Sequence, residues 1–73
     1  MSNSFIISLK AEIDFELCRI DECVQLIKRI NAMVEEFGYH SNEDACKKKA
    51  RVRELTAGIK TSLTRVRKIQ SVL

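Results

Sequence analysis

Residues 6–37 read IISLKAEIDFELCRIDECVQLIKRINAMVEEF, and this stretch decides the fold. Ile6, Ile13, Ile20, Ile27 and Val34 recur every seven residues. Leu9, Cys23, Ile30 and Phe37 follow three positions behind most of them. With the first set at heptad position a and the second at d, the spacing predicts one long amphipathic helix. Such a helix gains most of its stability by laying its apolar stripe against other helices.

The rest of the chain supplies the first of those partners. Ala45, Val52, Ile59, Val66 and Leu73 form a second a series, with Leu55 and Ile69 at d. Between the two series, Gly38 is a natural left-handed cap after Phe37. Tyr39–Asn42 is loop-like, and Ser41 begins a capping box with Asp44 three residues on. Glu43 and Asp44 suit the positive end of a helix dipole, with Arg65, Arg67 and Lys68 near the far end. Met1–Ser4 is a short polar lead in which Asn3 or Ser4 is placed to cap the first helix. The expectation is a single domain over 1–73, with a first helix at about 5–37, a loop at 38–42 and a second helix at about 43–73.

Folded about Ser41, the two heptads agree. An antiparallel register sets Phe37 against Ala45, Ile30 against Val52, Ile27 against Leu55 and Cys23 against Ile59. It continues with Ile13 against Ile69 and Leu9 against Leu73, each a meeting a d. Agreement between independent patterns is the mark of a foldable sequence. Three layers are imperfect: Val34 with Lys48, Ile20 with Ser62, and Glu16 with Val66. Arg65 is close enough to answer Glu16. Polar groups there either set register at a cost in stability or turn to the edge of the seam, as expected here. The hairpin would be roughly 45–50 Å long.

One competing pattern runs through the first helix. Leu9, Ala11, Ile13, Phe15 and Leu17 alternate with Lys10, Glu12, Asp14 and Glu16, as in a half-buried strand. A strand before two helices would resemble ribbon-helix-helix DNA-binding dimers. The seven-residue isoleucine spacing, the lack of a turn signal and the helix-forming Ala, Glu and Leu favour helix.

Composition narrows the class. A chain of 73 residues makes one small domain and usually needs a staple or a partner. No Pro is present, and Gly38 and Gly58 are the only glycines, which argues against a sheet with tight turns. Residues 1–37 carry four basic against seven acidic residues, and residues 38–73 carry nine against three, so a net charge of +3 divides into −3 and +6. Attraction between the two helices is the plain reading, and a basic surface for an acidic partner or nucleic acid is the functional one. No signal-peptide pattern and no apolar run of membrane-spanning length is present. With three cysteines, an odd number, the expectation is a cytoplasmic protein with reduced thiols that engages no membrane.

Chemical signatures are missing. Cys18, Cys23, His40 and Cys46 number four, but their spacing fits no zinc pattern, and Cys23 reads as a small seam residue. His40, flanked by Tyr39 and Ser41, does not make a nucleophile–base–orienter set. Glu12, Glu16, Glu35 and Glu36 lie on a helix that offers no pocket. No enzyme, metal or cofactor is expected. Arg53, Lys60 and Arg67 recur every seven residues on an outer face, beside Lys47 and Lys68, and such a stripe can follow phosphates. The second helix has no aromatic residue on which bases would stack.

The strongest functional signal is apolar excess. Leu17 and Val24 at e, with Phe5, Leu26 and Met33 at g, widen the first helix's stripe past a two-helix seam, and Phe15 lies outside it. Each large apolar side chain buried is worth ~1.5–3 kcal/mol, and contiguous exposed ones mark an interface. A short hairpin with a loop near its middle resembles Rop-type RNA-binding four-helix bundles. It is also similar to the small hairpin co-chaperones of type III secretion systems, which hold a needle subunit jointly with a second chaperone. The likeness spans the chain and rests on length, hairpin shape and apolar excess. The sequence therefore predicts an all-α antiparallel two-helix hairpin of coiled-coil type. It would assemble into a four-helix bundle or hetero-complex, as an adaptor or co-chaperone completing its core with a partner protein or with itself. The expected interface is Leu17, Val24, Leu26, Met33 and Gly58, a small residue opposite Val24 that admits another helix. The alternative is a Rop-like or ribbon-helix-helix-like regulator that binds nucleic acid through Arg53, Lys60 and Arg67.

Overall fold

The computed structural model describes residues 3–73. It contains two α-helices, α1 (Asn3–Phe37) and α2 (Asn42–Val72), packed against each other. Among the described residues there is no strand. The alternating stretch lies inside α1, and its burial follows the helical period. Leu9 and Ile13 are half-buried, whereas Ala11, Phe15 and Leu17, which a strand would bury beside them, are exposed. That pattern sets aside the ribbon-helix-helix alternative. Asn3 and Ser4 stand within α1, not ahead of it as caps, and Met1 and Ser2 of the polar lead lie outside the described residues.

The turn is built from local chemistry. Gly38 adopts φ 66°, a left-handed conformation costly for any residue with a Cβ, and its N–H donates to the Val34 carbonyl at 2.7 Å. Ser41 is extended, and its hydroxyl oxygen accepts from the Asp44 N–H at 3.1 Å. The return bond differs from a reciprocal capping box. Asp44 Oδ2 accepts from the His40 N–H, one residue before the cap, at 3.1 Å, and from Lys48 Nζ at 3.0 Å. The His40 bond first and the Lys48 bond second hold the Asp44 carboxyl below its ordinary range. Arg65, Arg67 and Lys68 stop short of the last turn of α2, which contains no basic residue.

Cross-helix neighbours follow the register of the two heptads. Glu16 meets Arg65, Gly58 faces Cys23, and Leu9 shares a groove with Leu73. The molecule measures 57 × 16 × 12 Å. Its radius of gyration of 16.8 Å compares with about 11 Å for a compact chain of this length. The end layers stay open, with Phe37 67% and Leu73 54% exposed, so the expected Phe37–Ala45 and Leu9–Leu73 layers do not close.

Ser41→Ala should lower the stability of the hairpin by about 1 kcal/mol, read from urea unfolding, without loss of helix content. Backbone chemical shifts over Leu9–Leu17 should be helical throughout; strand shifts there would break the register in its outer third.

Candidate interaction surface

Two parallel cylinders touch along one line, and this seam is correspondingly thin. The only buried residue of α1 is a carboxylate, Glu16, and α2 buries Leu55, Ser62 and Val66. Ile13, Ile20, Ile27 and Ile30 are half-buried, and no large side chain among the described residues is completely enclosed.

The polar layers do not turn to the edge as expected. Ser62 is 3% exposed and Glu16 7%, beside Val66 in the seam. Arg65 Nη1 donates to Glu16 Oε1 at 3.3 Å, while Oε2 is buried with no hydrogen-bond partner among the described residues. The neighbouring Ser62 hydroxyl is the largest influence holding the Glu16 carboxyl below its ordinary range. Burial opposes it, and Arg65 adds to it. Lys48 bends to Asp44 within α2 and lies 6.0 Å from the centre of the Tyr39 ring. A half-satisfied buried acid is costly where an apolar pair would not be. Its position therefore favours a role in fixing register over one in stability.

Leu17, Val24, Leu26 and Met33 do not form one patch. Val24 and Leu26 stand about 160° apart around α1, so the seam divides them. One flank carries Leu17 and Val24 on α1 and Leu63 on α2. On that side Asn31, Lys49 and Arg53 line a common groove. The other flank carries Leu26, Met33, Phe5 and Phe15, with Gly58 and Arg65 of α2. There Glu12, Phe15, Arg65 and Lys68 line a second groove. Leu17, Leu26, Met33 and Leu63 are exposed, and Val24 is half-buried. A Cβ built on Gly58 would meet only Cys23 Sγ, at 3.7 Å, an ordinary contact. Gly58 thus shares the Leu26 flank, although it lies at the level of Val24. Leu63 stands at e, outside the a and d positions that mark the stripe of α2, so heptad spacing alone does not single it out.

Arg53, Lys60 and Arg67 are exposed, and none joins the four ion pairs among the described residues. Three of those pairs lie within α2, and only Arg65–Glu16 joins the helices. The opposite charges of α1 and α2 are thus largely unpaired in the hairpin, not spent on holding it closed. Cys18 and Cys46 are exposed, Cys23 is half-buried, and all three are free thiols. No three His, Cys, Asp or Glu side chains among the described residues converge as a metal ion would need. Among the same residues no helix is long and apolar enough to cross a membrane.

Comparison with known proteins adds no kinship: no family model, curated protein or solved structure matches this chain.

The carboxyls of Glu16 and Asp44 are held below their ordinary values of 4.5 and 3.8. Their contribution is therefore present above those values and lost as pH falls through the folded ones. Thermal midpoints should hold steady near neutrality and decline in acid, and Glu16→Gln should remove part of that decline. Glu16→Leu should fold and melt higher, because an apolar side chain there needs no partner. A lower midpoint for Glu16→Leu at neutral pH would show that the acid stabilises the seam.

Proposed function

We propose that this chain is a non-enzymatic helical adaptor or co-chaperone that completes its core with another polypeptide. The observation that carries this reading is the surface left uncovered. The hairpin exposes 5788 Å², against about 4600 Å² for a compact monomer of its mass. The excess is of the order that one partner contributes to a standard protein interface, about 800 Å². Apolar residues on both flanks of the seam, Leu17 and Leu63 on one and Leu26 and Met33 on the other, supply the drive. The three free thiols fit work in a reducing compartment such as the cytoplasm.

A second reading has its own observation. Arg53, Lys60 and Arg67 are exposed and stand in no ion pair among the described residues, a row of cations that could meet phosphates. Steeper loss of binding with salt would separate that use from protein recognition.

Affinity purification at native expression should recover a stoichiometric protein partner or a second copy, and nucleic acid would favour the rival. Leu26→Glu should weaken an assembly that uses the Leu26 flank, since the carboxylate would lose water without gaining a partner. Exchanging Arg53, Lys60 and Arg67 together for Gln should cost the hairpin itself no more than about 0.5 kcal/mol per site. The same exchange should lower and flatten the salt dependence of any RNA or DNA binding.

A further inference from the structure

We propose that the Leu17 flank docks a second copy of this chain, with each α1 lying on the other copy's α2. This rests on the adaptor reading above and names its partner. Three observations support it.

The first is a dry strip. Between Lys10 and Lys49 at its ends, this flank presents Leu17, Val24 and Leu63 with the uncharged Asn31 and Thr56. On the Leu26 flank, by contrast, Glu12, Arg19, Arg51 and Arg65 interrupt the apolar residues. An interface core is depleted of charge, so the Leu17 flank is the better one to close.

The second is a pair of charged rails beside that strip. Asp14 and Asp21 run along α1, and Lys60 and Arg67 run along α2, on the outer edges of the same flank. All four are exposed, and none is in an ion pair among the described residues. Within one hairpin the rails stand on opposite edges and cannot meet.

The third is symmetry. A twofold axis parallel to the hairpin's length puts α1 antiparallel on the second copy's α2, with both loops at one end. Residues then face, across the interface, the levels they face in their own hairpin. Asp14 falls beside the second copy's Arg67, and Asp21 beside its Lys60, each within one residue of level. The symmetry repeats both pairs. A twofold axis running across the hairpin would instead stack α2 on α2, base rail on base rail, and α1 on α1, where Lys28 alone could answer the two acids. Only the lengthwise axis satisfies the charges. One level is discordant, with Lys28 facing Arg53.

Sedimentation velocity on the full chain tests this, with circular dichroism to check folding of every variant. Wild type should be dimeric. Asp21→Lys and Lys60→Glu should each weaken the dimer about tenfold, because symmetry breaks two pairs at once. The double variant should regain most of that loss, a rescue that requires the two positions to meet. Lys28→Glu should tighten the dimer. A wild type that stays monomeric overturns the proposal. The adaptor reading survives that result if the monomer melts without cooperativity, and falls if it melts as a cooperative unit. A dimer broken by Leu26→Glu but indifferent to both charge reversals also overturns the proposal, and places the second copy on the other flank while leaving the adaptor reading intact.

Discussion

A seam between two helices buries one stripe from each, and everything else about this protein follows from how little that is. In a larger bundle each helix touches two neighbours, and its apolar residues are covered from two sides. Here each helix has one neighbour. Among the described residues, Leu55 and Val66 alone are buried apolar residues, and the isoleucines that define α1 remain half-covered. Ordering a chain costs roughly 1–2 kcal/mol per residue in backbone freedom alone, so a seam this thin leaves little margin. The missing coverage lies along both flanks, where Leu17 and Leu63 on one side and Leu26 and Met33 on the other stay exposed.

The polar layer of the seam has a different role. Glu16 and Ser62 occupy positions where apolar residues would pack better, and Arg65 reaches across to one carboxylate oxygen. Apolar heptads tolerate sliding by a whole repeat, since an isoleucine can replace an isoleucine. A buried acid cannot slide without losing its arginine. The layer therefore ties α1 to α2 in one register, and the Ser41 cap and the Gly38 turn fix the same register from the loop. With register fixed, the order of charges along the outer edges becomes meaningful, because each acid on α1 has a defined level on α2.

Most of the fold was legible in residues 6–37. The heptad spacing outweighed the alternating stretch because helical burial selects Leu9 and Ile13 and leaves Ala11 and Phe15 to solvent. The turn was equally readable, since Gly38 and Ser41 act through local backbone chemistry. Spacing could not reveal that Glu16 stays in the seam, because whether a long side chain turns outward depends on what Ser62 and Arg65 offer it. The letters e and g already put Val24 and Leu26 on opposite sides of the seam, whereas the side on which Gly58 lies had to come from its contact with Cys23. Gly58 and Val24 share a level, but the seam separates them. Nor does residue type announce that Phe37 and Leu73, at the two ends of the seam, stay exposed.

If one hairpin holds too little core to be a stable unit, its unfolding must depend on protein concentration. Equilibrium urea unfolding, followed by circular dichroism from about 1 to about 100 µM protein, tests it most directly, because association stabilises by mass action. The transition should be shallow and of low midpoint at the lowest concentration, sharpening and moving upward as concentration rises. A steep transition with the same midpoint at every concentration would contradict it.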